Sequence, residues 1–218
     1  EYVGFDLELA EEVCKINGWE LVKQPIDWDS KDMELSSGNI SCIWNGFTMN
    51  GREDQYTWST PYVDNSQVFV VAADSGVASK EDLAGKTVAV QKDSSALAAL
   101  NDEEVPENIA LRDSFKELVE YADYKTAFLD LEQGAVDAVA IDIGVAKYQL
   151  ESREAGKYVI LERDDNLLAS EQYAIGFKLG NEELRDQVQA ALDKLVADGT
   201  FMEIAKKWGL EDSVCLGK

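Results

Sequence analysis

The chain has 218 residues, 45% of them hydrophobic and 29% charged, enough to bury a real core as one large domain or two small ones. Its 43 acidic residues against 20 basic give a formal charge of −23, which argues against nucleic acid and anionic membrane as partners, since both need a positive footprint. It contains no histidine, which excludes Ser-His-Asp and Cys-His catalysis and His-containing zinc sites, and no apolar run approaches the roughly 18 residues that span a bilayer.

Residues 6–17, DLELAEEVCKIN, put Leu9, Val13 and Ile16 on one helical face, with Asp6 as the expected N-cap and Gly18 as the stop. WELVKQ (19–24) reads as a strand, and DSKDMELSSG (29–38) as a short helix capped by Asp29 and ended by Gly38. NISCIWN (39–45) reads as a buried strand. It dissolves into WNGFTMNGRED (44–54), where Gly46, Thr48, Gly51 and a lone Arg52 crowd together, a composition suited to receiving a ligand. SQVFVVAA (66–73) and KTVAVQ (86–91) are strands, the second running into DSSALAAL, a helix with a serine cap. DYKTAFLDLEQG (123–134) is a helix ending at Gly134, VDAVAI (136–141) a buried strand, DIGVAKYQLESRE (142–154) a helix and KYVILE (157–162) a strand. YAIGFK (173–178) precedes a long amphipathic helix from about Glu182 to Asp198. Thr200 and Glu203 then form a capping box for FMEIAKKW. Cys14, Cys42 and Cys215 are too far apart for a CxxC motif. Cys14 and Cys42 read as small core residues, and a count of free thiols decides whether Cys14 and Cys215 are bridged.

Apolar strands separated by amphipathic helices predict α/β architecture with covered sheets, which bind ligands at the carboxyl ends of their strands. Three strand ends fit: the loop reaching Arg52, the Lys92-Asp93-Ser94-Ser95 helix start, and Asp142. Ser94 and Ser95 offer hydroxyls and backbone N–H groups at a positive helix end, Arg52 a grip on a carboxylate, and Asp142 a seat for an ammonium. Together they match the two charged ends of a free α-amino acid. Each also has a plainer reading: Ser94 and Asp142 as N-caps, Arg52 as a surface cation, Asn50-Gly51 as a tight turn.

From residue 3 to about residue 209 the chain resembles the extracytoplasmic amino-acid-binding proteins of ABC importers. The stretches that carry the likeness are YVGFDLELAEEV, IDWDSKDMELSSGNISCIWNGFT, GRED with WSTPYVDN, EDLAGKTVAVQKDSSA, DLEQGAVDAVAIDIGVA and QYAIGFKLGNEELRDQVQAALDKLVADGTFMEIAKKWG, in that order. The resemblance implies a two-lobed type II periplasmic-binding-protein fold with two mixed sheets flanked by helices. Lobe 1 would be residues 1–65 and 172–218, lobe 2 residues 66–171, joined by two crossover strands and closing on the ligand by hinge motion. Carried over residue by residue, it assigns ligand contacts to Gly46 and Thr48, the carboxylate clamp to Arg52, the helix-start contact to Ser94 and Ser95, and the ammonium seat to Asp142. Arg52 comes one residue earlier than the commoner spacing. Trp28 falls where the family places a shelf for the ligand side chain, and also reads as a core tryptophan beside a helix cap. Asn45 and Gln91 match positions facing the side chain, and Gln172 lies at the hinge.

The resemblance further implies an extracytoplasmic location, a membrane permease as partner and no cofactor. It implies no chemical step, and polar neutral or basic amino acids lead as ligands. A dehydratase-like enzyme on the same fold is the alternative, acting on prephenate- or arogenate-like acids with Glu171 as its candidate acid. The sensing module of a receptor is a third reading. The family carries a first strand before YVGFD, with an aromatic that packs on the ligand, and this sequence begins after it. The reading expects unpaired backbone in lobe 1, with strand swapping or assisted assembly, and expects that a leader has been removed.

Overall fold

The computed structural model describes residues 2–217. In chain order its elements are α1 (Phe5–Asn17), α2 (Lys31–Ser37), β1 (Cys42–Ile43), β2 (Thr57–Trp58), β3 (Val63–Ala72) and β4 (Thr87–Gln91). Then come α3 (Ser95–Leu100), α4 (Pro106–Ser114), β5 (Glu117–Tyr121), α5 (Tyr124–Gln133), β6 (Ala138–Asp142) and α6 (Ile143–Glu151). The last are β7 (Tyr158–Ile160), β8 (Ala169–Tyr173), β9 (Gly176–Phe177), α7 (Glu182–Asp198) and α8 (Thr200–Lys207). The chain divides into two compact units, unit 1 being Glu1–Asp64 with Glu171–Lys218 and unit 2 Asn65–Ser170. The strands β3 and β8 carry the chain out of unit 1 and back, and they pair with each other.

Unit 1 holds a sheet of order β1-β9-β2, with both pairings antiparallel. One core layer joins α1, α7 and α8 through Phe5, Leu9, Val13, Leu192 and Phe201. A second, smaller cluster gathers Leu35, Ile43, Phe47 and Tyr56, with Trp28 and Trp58 against it. Unit 2 is a mixed sheet of order β5-β4-β6-β3-β7. Its inner strands TVAVQ and AVAID are apolar nearly throughout because helices cover both faces, with Ala127, Phe128 and Leu131 on one side and Ala96, Ala99 and Leu100 on the other. β4 and β6 run parallel, with Val88 opposite Ala138 and Val90 opposite Ala140, so both strands end at the same edge.

Several local expectations need correction. Residues 19–24 pair with no strand. Among the described residues β1 is paired only on its β9 side, no strand edge reaches this segment, and Val22 is 73% exposed. Asp6 does not cap α1: the helix begins at Phe5, and the Asp6 carboxyl accepts from the Tyr62 hydroxyl. Asp29 lies inside a 3-10 turn, Trp28–Ser30, that leads into α2. Thr200 is the first residue of α8, and its amide donates to Asp198, so no Thr200–Glu203 capping box forms. All three cysteines are free; Cys14 lies close to Cys42, and the Cys14–Cys215 bridge is not made. Both α4 and β5 lack an apolar period in the sequence: α4 buries only Asn108, and β5 is a partly exposed edge strand.

Candidate functional site

The expected site residues fall into two groups, one in each unit. In unit 1 the loop after β1 is built around Phe47, which is 1% exposed. Two glycines in left-handed geometry, Gly46 at φ 72 and Gly51 at φ 75, let this loop turn sharply. A β-carbon on Gly46 would also come within 3.2 Å of the Tyr173 ring. The Trp28 ring meets Phe47 edge-on at 5.4 Å between centroids, and Tyr56 and Trp58 complete the cluster at 5.1 and 4.9 Å. The Arg52 guanidinium stands over the other part of this group, 5.3 Å from the Phe47 centroid, and its Nη1 donates to the Thr48 carbonyl at 3.1 Å. The Trp58 indole N–H donates to the Arg52 carbonyl, which fixes the backbone from which that side chain extends.

Thr48 is 2% exposed and its hydroxyl donates to Glu171 Oε2 at 3.0 Å. With that proton committed, the Thr48 hydroxyl retains only its acceptor capacity. Gln172 ties the loop to β8: its amide N–H donates to Asn50 Oδ1, its carbonyl accepts from Met49, and its side chain donates to Asp64. These bonds make Gln172 a brace for the loop. Asn45 is exposed at the loop start.

In unit 2 the group forms at the shared carboxyl edge of β4 and β6. After Gln91 the chain turns through Asp93, whose φ of 55 is uncommon outside glycine and marks a tightly held turn. Ser94 then caps α3, its hydroxyl accepting from the Leu97 amide at 3.2 Å, and both Ser94 and Ser95 are buried. The Gln91 side chain donates to the Ala122 carbonyl. Asp142 ends β6 and precedes α6 without capping it through its side chain. Instead Oδ1 accepts two hydrogen bonds of 2.8 Å, from Asn65 Nδ2 and Gln67 Nε2. Both donors sit on β3, and Gln67 is directly opposite Asp142 in the antiparallel register.

Unit 1 therefore gathers Trp28, Gly46, Thr48, Arg52 and Gln172 on one loop and its neighbours, with Asn45 at the margin. Unit 2 brings Ser94, Ser95 and Asp142 to one sheet edge, with Gln91 turned toward the loop after β5. Sequence reasoning passed over Phe47, Lys31, Asn65 and Gln67. Lys31 had a usable signal: Trp28, Lys31 and Leu35 follow the i, i+3, i+7 spacing of an inward-facing helical stripe. Asn65 and Gln67 alternate on one face of a strand, which signals a shared direction but not a shared target.

The chain matches bacterial extracellular solute-binding proteins, family 3, over residues 1–211. It is 27% identical to the L-cystine-binding protein TcyJ of Escherichia coli K12, across 94% of this chain and 73% of the relative. It is 26% identical to the ABC transporter arginine-binding protein 1 of the same strain, across 95% and 82%. A substrate-binding protein of an ABC uptake transporter from Streptococcus pneumoniae, solved with bound histidine, superposes with a TM-score of 0.88 at 32% identity, covering 98% of this chain and 86% of that one.

Proposed function

Because the chain belongs to the bacterial extracellular solute-binding proteins, family 3, we propose that it binds a free α-amino acid outside the cytoplasm and delivers it to the membrane permease of an ABC importer. The observation that supports this reading is that each unit, taken by itself, presents one of the two opposite charges that a free amino acid needs. A guanidinium, Arg52, rises from a glycine-rich loop in unit 1, and a carboxylate, Asp142, ends an inner strand in unit 2. Arg52 takes the ligand carboxylate, assisted by the Ser94–Ser95 helix start, and Asp142 takes the ammonium. Thr48, as an acceptor, contributes to the ammonium side, and Trp28 offers a flat face to the ligand side chain.

Binding proceeds without a chemical step, in keeping with a chain that supplies no histidine and with relatives that are named as binding proteins. A turnover screen on prephenate- and arogenate-like acids returns no product under this reading. Titration calorimetry tests the charge assignments. Arg52→Ala and Asp142→Ala each leave a ligand charge unpaired and are expected to weaken binding by about 30-fold or more. Unchanged affinity in either variant would show that its charge has been given the wrong role.

A further inference from the structure

Lys31 is a cation that the fold does not use for its own pairing. It opens α2, is only 5% exposed, and makes no hydrogen bond or ion pair among the described residues. Its Nζ lies 5.0 Å from the centre of the Trp28 ring. The acid next to it in sequence, Asp32, accepts from the Tyr56 hydroxyl. The stem is covered, but Nζ is not among the fully buried polar atoms that lack a partner, so the ammonium stays open to solvent beside the Trp28 ring and can meet an incoming anion.

Lys31 borders the aromatic group of the candidate site. Trp28 meets Phe47, and Arg52 stands over Phe47, so two cations bracket one pair of rings. An α-amino acid carries one carboxylate in its backbone, and Arg52 accounts for it. A second cation on the ring that receives the side chain fits a second negative group. Lys31 also occupies the ring surface that a guanidinium or ammonium side chain would stack on, and it repels both.

We propose that Lys31 is a specificity-determining residue and that the ligand is an amino acid with an anionic side chain. The proposal rests on the amino-acid-binding reading above and replaces the sequence expectation of a polar neutral or basic ligand. The test is titration calorimetry with L-aspartate, L-glutamate, L-glutamine, L-arginine and L-lysine, on the unmodified chain and on Lys31→Met, Lys31→Gln and Lys31→Arg. One of the two acids should bind at least about 30-fold tighter than glutamine or arginine. Lys31→Met and Lys31→Gln, which nearly keep the side-chain volume, should each remove most of that preference, the acid losing far more affinity than glutamine. Either variant suffices if the other folds poorly, and Lys31→Arg should retain the preference, separating charge from packing. A neutral or basic ligand that binds best, or an equal loss for acidic and neutral ligands in Lys31→Met, overturns the proposal. If that preferred ligand still depends on Arg52, only the side-chain assignment fails. If none of the five binds, the amino-acid reading fails with it.

Discussion

The carboxyl of Asp6 lies beneath the loop that follows β1, where burial pushes its pKa from 3.8 up to about 6. The Tyr62 hydroxyl, donating at 2.7 Å, the Gly46 amide and the Trp44 indole oppose that rise. The same burial and the Asp6 charge drive the Tyr62 hydroxyl well above its ordinary range. A carboxyl whose folded pKa is raised favours folding while it is protonated in both states. That contribution is complete below about pH 3.8 and is lost as pH climbs through about 6. Asp6→Asn, which stays neutral, should therefore match the parent near pH 4 and exceed it near pH 7.5 by up to about 3 kcal/mol. Urea unfolding at the two pH values measures this, and parallel pH profiles for the two proteins would count against it. A residue such as Asp6 is hard to read from sequence, because a charged letter at the start of an amphipathic segment reads as a helix cap and gives no sign of a tertiary partner such as Tyr62. Arg52 and Asp142 stand out in the sequence because Asp142 follows directly on the apolar run VDAVAI, and Arg52 closes the small, glycine-rich loop that follows ISCIW.

The short strand β9 controls how the aromatic loop sits. A β-carbon on Gly176 would come within 2.8 Å of Phe47 Cδ1 and 3.3 Å of Trp58, so the ring is seated directly on bare backbone. Gly176→Ala should force Phe47 outward and cost about 1–3 kcal/mol, as overpacking does. It should also weaken ligand binding, because Trp28 and Arg52 both rest on that ring. Thermal melts and calorimetry on one preparation test both effects, and an unshifted melting temperature would mean the ring has room to spare. Among elements, the sequence announced β4 and β6 most clearly, since burial on both faces leaves a continuous apolar run that nothing else explains. It misled at 19–24, where a strand-like composition finds no partner edge, because pairing is a property of two segments and composition of one. The helix α4 was invisible for the opposite reason: its residues are polar enough to pass for a loop.

At the scale of the molecule, a formal charge of −23 on 218 residues means that folding brings many like charges together. Screening should relieve this repulsion, so raising salt from about 0.01 M to about 0.15 M should lift the melting temperature by a few degrees. A scan that is flat, or falls, would show that attractive pairs dominate instead. Exposed pairs such as Arg163–Asp165 and Arg185–Asp186 are too weak to reverse the sign. The α/β character was readable throughout, because alternating apolar runs and amphipathic helices extend along most of the chain. The division between the units also sets an order of assembly. Unit 2 is one unbroken stretch, complete once the ribosome has reached Ser170, whereas unit 1 needs Ile175, Leu192 and Phe201 from the far end to close its core over α1. Its first residues must wait through the synthesis of the whole of unit 2, exposing Phe5, Leu9 and Val13 in the interval. Unit 1 is thus kept unfinished, and open to capture by the machinery that handles unfolded polypeptides, until Phe201 has been made.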